Sequence, residues 1–151
     1  MTCFKFSLFA SLILLSSILL YSFNSGHAQR YEEQDDIELK GQVNYVVDGD
    51  TLDINDIRIR LSLVDTPERG QEGYKNAKNF VQDLCLNKNG EVDIDDGQRR
   101  GDRYGREIGV VYCDKININE QLMKNNLAKI YTEYCDVSEF AKENWAKSYC
   151  Y

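Results

Sequence analysis

The patterning of the chain predicts an α+β domain, a five-stranded barrel of the OB-fold type with three α-helices. Three observations carry that expectation. Short apolar-alternating runs broken by Asp48-Gly49 and Asn55-Asp56 read as a three-stranded meander ending at Pro67. One helical segment, Gln71 to Leu86, then separates the meander from two further strands. Three strands, a helix and two strands is the element order of that barrel.

Each element has its own reason. Val43 to Val47 and Thr51 to Ile54 are short β-rich runs, and Ile57 to Val64 alternates apolar and polar residues. Pro67, the one proline, closes the meander because it cannot donate to a sheet ladder. Tyr74, Ala77, Phe80, Val81 and Leu84 recur at three- and four-residue spacing, which marks one helix face. Glu91 to Asp95 alternates as a fourth strand, and Ile108 to Cys113 is apolar enough to be a central fifth. Ile118, Leu122, Met123 and Leu127 define a second helix over Ile116 to Leu127, and Lys129 to Tyr134 reads as a short extended piece. A third helix is expected from Asp136 to Ser148, with Asp136 and Glu139 at capping-box spacing and Phe140, Ala141 and Trp145 as its apolar stripe.

Domain organisation follows from the first part of the chain. Lys5, the uncharged apolar run Phe6 to Phe23 and the small residues Gly26 and Ala28 have the form of a secretory signal over residues 1–28, with an uncleaved anchor as the alternative. Both place the remainder outside the cytoplasm, secreted or at the cell surface. Residues 29–41 are polar, acidic and aperiodic, as in a linker. Residues 42–151 then make one domain.

Composition removes several chemistries. The single histidine, His27, lies in the signal-like segment, so Ser-His-Asp, Cys-His and His-metal arrangements are excluded from the domain. Catalysis there must rest on carboxylates, arginines, lysines and a metal. Of five cysteines, Cys3 leaves with the signal; Cys85, Cys113, Cys135 and Cys150 remain. An even count in an exported domain reads as two disulfides with three possible connectivities. Zinc, the rival, lacks any short Cys-x-x-Cys spacing. A net charge of −7 argues against a protein that binds nucleic acid by charge alone, but an acid-lined site can be neutralised by a divalent metal.

The residues with chemical potential cluster in two blocks, Asp48 to Thr51 and Arg60 to Glu68. A two-residue turn at Asn55-Asp56 pairs Ile54 with Ile57 and sets Thr51 opposite Arg60. Asp50 and Arg60 therefore share one end of the hairpin. Asp65 lies beyond that, up to roughly 13 Å along an extended chain, so register alone does not unite the two aspartates. If they meet, Asp50 and Asp65 offer the hard oxygens that Ca²⁺ or Mg²⁺ prefers. Otherwise each is a turn residue bonded to its own backbone. Arg60 and Arg106 read either as solvated strand and loop residues or as two planar forks gripping one phosphate. Glu68 is either a surface acid or, with no histidine at hand, the group that deprotonates a water.

Val47-Asp48-Gly49-Asp50-Thr51, Arg60 to Glu68 (Arg-Leu-Ser-Leu-Val-Asp-Thr-Pro-Glu) and Asp102-Arg103-Tyr104-Gly105-Arg106 resemble, in order and spacing, the three signature blocks of the staphylococcal nuclease family. Asn119-Glu120-Gln121-Leu122 and Leu127-Ala128-Lys129 resemble the helix and strand that follow them, so the likeness runs from about Val43 to Tyr134. The resemblance implies a Ca²⁺-dependent nuclease on DNA and RNA that leaves 3′-phosphate ends. With the signal-like segment this makes a secreted enzyme, single-stranded substrate is expected to be preferred, and nothing in the sequence demands more than a monomer or a stable protein partner. It implies Asp50, Asp65 and the carbonyl of Thr66 as calcium ligands, with Asp48 an acid nearby. It implies Glu68 as general base, Arg60 and Arg106 on the phosphate, and Tyr104 and Tyr134 against the nucleotide. Exported relatives imply Cys135 paired with Cys150; Cys85, at a helix end, and Cys113, at a strand end, are the expected second pair. Thr132 stands where the family has a second tyrosine, the Arg69 to Gly73 segment looks short, and the Arg99 to Arg106 loop one residue long. The alternative of another class is a non-catalytic OB module that binds nucleic acid or protein.

Overall fold

The structure, a computed structural model, describes residues 37–151; the signal-like segment 1–28 and most of the linker lie outside the described residues. Five strands form the barrel: β1 (Ile37–Val46), β2 (Thr51–Ile54), β3 (Ile57–Leu61), β5 (Asn89–Ile94) and β6 (Glu107–Cys113). Their order is β3-β2-β1-β5-β6, and a parallel pairing of β3 with β6 closes the ring. Closure satisfies edges that would otherwise invite other strands. Three two-residue strands add local ties: β4 (Val64–Asp65), β7 (Ile116–Asn117) and β8 (Lys129–Ile130). The helices are α1 (Tyr74–Cys85), α2 (Ile118–Lys124) and a short α3 (Lys147–Cys150).

The β2–β3 hairpin has the register that the sequence sets, Ile54 opposite Ile57 and Thr51 opposite Arg60. Its turn residues Asn55 and Asp56 both have positive φ, 48° and 67°. That is the mirror-image turn whose twist matches paired strands, and asparagine and aspartate tolerate it better than most residues. Alternation then buries Leu52, Ile54, Ile59 and Leu61, which meet Val43, Val46, Val92, Val110, Ile118 and Leu122 inside the ring.

β1 corrects the linker expectation. Residues 37–41 are strand rather than linker, paired with β5 through Ile37↔Asp93 and Gly41↔Gly90. Ile37 and Leu39 turn inward while Glu38 and Lys40 face solvent, where Lys40 meets Glu91 at 3.0 Å. The strand changes partner from β5 to β2 at a bulge between Val43 and Tyr45. Gly90 permits the corner: a Cβ there would stand 2.7 Å from Ile54 Cδ1.

The third helix also differs from expectation. Instead of one helix from Asp136 to Ser148 there is a 3₁₀ turn at Glu139–Lys142 and the short α3. No capping box forms, because the Glu139 carboxylate accepts from the Asp96 amide on the neighbouring loop. Phe140, Ala141 and Trp145 are buried as the stripe required, but tertiary contacts break the helix around them. Likewise α2 starts at Ile118 because Ile116–Asn117 pairs with β6, and Lys129 to Tyr134 is strand only to Ile130 before a 3₁₀ turn at Thr132–Tyr134.

Burial first, and then the charges of Asp96, Asp95 and Glu38, push the Glu139 carboxyl above its ordinary value of 4.5. A folded pKa above the unfolded one favours the protonated form. This group's destabilising effect is therefore absent below the unfolded pKa, grows as pH rises through the folded one, and is complete at neutrality. Glu139→Gln keeps an oxygen acceptor for the Asp96 amide. Thermal melts should show it slightly more stable at pH 7, within about 0.5 kcal/mol for this exposed site, and equal to the parent at pH 4.

The cysteines pair as expected. Cys85 joins Cys113, tying the end of α1 to the end of β6, and Cys135 joins Cys150, tying the C-terminal turns together. With a sequence separation of 15, the second closes a short loop, and loss of that bond costs about 3 kcal/mol. Cys135→Ser with Cys150→Ser should lower the unfolding free energy from urea melts by that amount.

Candidate active site

The site forms where β2 begins, β3 ends and the chain reverses beyond it. Asp48 and Gly49 make the turn into β2, with the amides of Val47 and Asp48 bonded to the Thr51 carbonyl at 2.9 and 3.3 Å. Gly49 is needed for closeness, since a Cβ there would lie 2.7 Å from both Ala77 Cβ and Thr66 Oγ1. After Leu61 the strand stops at Ser62-Leu63. Leu63 is buried with φ at 62°, a left-handed conformation that costs a branched side chain about 1 kcal/mol or more. Surrounding bonds hold it: Ser62 N donates to Gly109 O at 2.8 Å, and Tyr131 N to Leu63 O at 2.7 Å. β4 then runs back along β8. This reversal supplies what strand counting could not: it brings Asp65 to Arg60.

Arg60 is the hub. Its Nη1 lies 3.2 Å from Asp50 Oδ1, and its Nη2 lies 3.4 Å from Asp65 Oδ1. Nη1 also donates to the Val64 carbonyl at 2.6 Å and the Leu61 carbonyl at 3.2 Å, so the reversed chain itself orients the guanidinium. Asp50 is buried at 4% exposure, whereas the side chain of Asp65 is half open. The other Asp50 oxygen accepts from the Thr66 amide and hydroxyl at 2.7 and 2.8 Å. Buried and fully bonded, Asp50 is a fixed anion; Asp65 is a solvent-facing one.

Arg106 approaches from the loop before β6. Asp102 holds it with a 2.5 Å contact to Nε and accepts from its backbone amide at 3.1 Å. Burial pushes the Asp102 carboxyl up. The bonds from Arg106 and from the Tyr104 amide outweigh it and leave the carboxyl below the ordinary carboxylate range. The pair therefore persists into acid. Arg106 Nη1 reaches Thr51 Oγ1 at 3.4 Å, and that hydroxyl in turn donates to Asp50 Oδ1 at 3.3 Å. One chain of contacts thus runs Arg106, Thr51, Asp50, Arg60, Asp65. The extra loop residue does not detach Arg106 from the cluster. Tyr104 stands exposed beside it, with the Arg106 guanidinium 5.4 Å and the Arg103 guanidinium 4.9 Å from its ring.

The remaining expected residues are looser. Glu68 is exposed on the turn after Pro67, where its amide donates to Gln71 Oε1 at 2.9 Å. Among the described residues its carboxylate contacts neither arginine. Tyr134 packs edge-on against Tyr131 at 4.9 Å, away from the chain of contacts that links the arginines and aspartates. Asp48 accepts from the Asp50 amide at 3.2 Å. Burial, then the adjacent Asp50 charge, raises its carboxyl. Arg58, on the same strand as Arg60, instead pairs with its cross-strand neighbour Asp53 at 2.8 Å, as a solvated strand residue does.

Sequence reading assigned no role to Thr51, Asp102 or Asn119. Asp102 carried a signal, four residues before Arg106. Asn119 carried a fainter one, a polar residue beside the apolar stripe of α2. It is fully buried, accepts from Val111 N at 3.1 Å and donates to Ser62 O at 2.8 Å, which clamps the reversal. Among the described residues no three Asp, Glu, His or Cys side chains gather as a metal cluster. The donor set on offer is two carboxylates with neutral oxygens from Thr66 and water. Such a hard-oxygen set, with a surplus of negative charge, fits a divalent cation.

Comparison with known proteins identifies the family. The family model described as staphylococcal nuclease homologue matches residues 58–148. The chain is 34% identical over 102 residues to an uncharacterized endonuclease of Escherichia coli, covering 64% of each protein. It is 33% identical over 110 residues to a micrococcal nuclease of Shigella flexneri, covering 64% of this chain and 61% of that protein. A probable staphylococcal-like nuclease of Oryza sativa subsp. japonica is 38% identical over 90 residues, covering 60% of this chain and 25% of its own length. The matches therefore span less than two thirds of these relatives.

Proposed function

The chain belongs to the staphylococcal nuclease family, and on that premise we propose that it is an exported Ca²⁺-dependent nuclease that hydrolyses DNA and RNA and leaves 3′-phosphate ends. The observation that carries the reading is the Arg60 guanidinium between Asp50 and Asp65, with Arg106 linked to the same carboxylate through Thr51.

Two fixed cations and two acids at one strand end suit phosphodiester hydrolysis. Water attacks phosphorus, the P–O5′ bond breaks, and negative charge grows on the non-bridging and leaving oxygens. Arg60 and Arg106 donate to that growing charge. Their orientation is already set by the Val64 carbonyl and by Asp102, so little reorganisation is needed in the transition state. Glu68 is exposed and free of the arginines, and takes the proton from the attacking water; the leaving 5′-oxygen takes one from solvent. Asp50, Asp65 and Thr66 are the residues that would hold the cation, and Ca²⁺ suits a mixed set of carboxylates, carbonyl and waters. Bound there, it would supply positive charge that stabilises the charge developing in the transition state.

Tyr104, exposed beside Arg106, offers a stacking face that unpaired bases reach more easily than paired ones, which favours single-stranded substrate. Tyr134 serves as a second, more distant face. Export is supported by the signal-like segment and by two disulfides, which persist in oxidising compartments. The protein acts as a monomer with no stable partner.

Purified protein incubated with single-stranded DNA tests this. Degradation should appear with millimolar Ca²⁺ and stop with EDTA. The product ends should block polymerase extension until a phosphatase removes the 3′-phosphate. No cleavage with Ca²⁺ at any pH would leave the non-catalytic binding module.

A further inference from the structure

A groove of about 160 Å³ opens directly beside Asp65 and Thr66. Pro67 and Gln71 form one wall, and residues 126–129 the other. The β4–β8 pairing builds it by setting Asp65 opposite Lys129 and Val64 opposite Ile130. Residues directly opposed in an antiparallel pair project to the same face. Lys129 therefore emerges on the face where Asp65 meets Arg60. Lys129 is exposed and forms no ion pair among the described residues, while Asp65 is engaged by Arg60. An unpaired cation next to an acid-rich centre, on a chain of net charge −7, is a positive point where a polyanion could extend.

We propose that this groove is a subsite for the nucleotide adjoining the scissile phosphate, with Lys129 on its phosphate and the Pro67–Leu127–Ala128 surface against its base or sugar. The proposal rests on the nuclease reading and extends it to substrate length. The occupant is a continuing single strand, for three reasons. The groove is continuous with Asp65 and Thr66. It sets the apolar Pro67, Leu127 and Ala128 beside one cation, with polar Gln71 and Asn126 alongside, and a cation for the backbone next to a surface for the base is how single strands are held. Its volume is below the roughly 300 Å³ of a drug-sized site, so it takes one base or sugar rather than a whole oligonucleotide.

The test compares wild type, Lys129→Gln and Lys129→Glu on two substrates in Ca²⁺. One is a short single-stranded oligodeoxynucleotide; the other is a chromogenic nucleotide diester with a single phosphodiester and nothing to fill the groove. On the oligonucleotide, Lys129→Gln should raise KM about 5–10-fold with kcat unchanged. It should also lower the slope of log KM against log salt by about 0.7, the value for one lost phosphate contact. Lys129→Glu should raise KM further. On the single diester all three proteins should agree within about twofold, since a phosphate contact that is absent cannot be lost. Equal losses on both substrates would overturn the subsite and make Lys129 a positioning residue for Asp65. No change on either would overturn it too. A wild type inactive on both would instead sink the nuclease reading, and the subsite with it.

Discussion

Arg60→Ala is expected to lower the rate on DNA by about 10³-fold or more, because it removes a pre-oriented cation from the developing charge of the transition state. It should also destabilise the fold. Arg60 is the only cation within ion-pair distance of Asp50 among the described residues, and Asp50 is buried. Three hydrogen bonds, from the Thr66 amide and hydroxyl and from Thr51, would remain, but the charge would lose its counter-ion. Breaking a buried pair by removing one partner costs about 3–5 kcal/mol, and the lower end applies here because of those bonds. The Asp65 contact adds little, since that carboxylate is half exposed. Arg60→Lys separates the two effects. It keeps a charge near Asp50 and so most of the stability, yet loses the planar fork and with it most of the rate. Added Ca²⁺ should raise the melting temperature of Arg60→Ala more than that of wild type, because the cation then neutralises an anion that has lost its counter-ion. Near-wild-type activity in Arg60→Ala would disprove the phosphate clamp. An unchanged melt would show that Asp50 does not depend on this guanidinium.

Half of this centre was legible in the chain and half was not, for a physical reason. Strand periodicity and an Asn-Asp turn fix the Thr51–Arg60 register, because a hairpin loop of known length leaves no freedom. They place Asp50 and Arg60 at one end with no help from the rest of the fold. Asp65 is different. It reaches Arg60 only because Leu63 adopts a left-handed conformation, and leucine carries no turn signal. That turn is imposed by tertiary bonds from Gly109, Tyr131 and Asn119, which no local pattern encodes. The early half of β1 carries a strand signal that its charges obscure. Ile37-Glu38-Leu39-Lys40 alternates as cleanly as any strand here, but its charges read as linker. The broken third helix is the converse. Its apolar stripe was real, yet Glu139 found a better partner in the Asp96 amide than in its own first turn.

Asn119 shows how far the centre depends on such unencoded contacts. It is fully buried, and its amide joins three backbone groups: Val111 N at 3.1 Å, Ser62 O at 2.8 Å and Gly109 O at 3.4 Å. Alanine in its place would leave the Val111 N–H and the Ser62 carbonyl buried without these partners. At 1–3 kcal/mol for each unsatisfied group, the expected loss is about 4 kcal/mol, comparable to a large core truncation. Aspartate would keep the acceptor for Val111 N–H but lose both donated bonds and bury a charge, so Asn119→Asp should do no better. Activity should fall as well, even where the variant is still folded. The Ser62 carbonyl anchors the reversal that carries Val64 and Asp65 to Arg60, and a misplacement of about 1 Å in such a shell can cost 10²-fold in rate. Urea melts and kcat on single-stranded DNA at low temperature, where the variant stays folded, measure the two effects independently. A variant with normal kcat despite the lost stability would mean that Leu63 holds its conformation unaided, and that the clamp on Ser62 serves the fold alone.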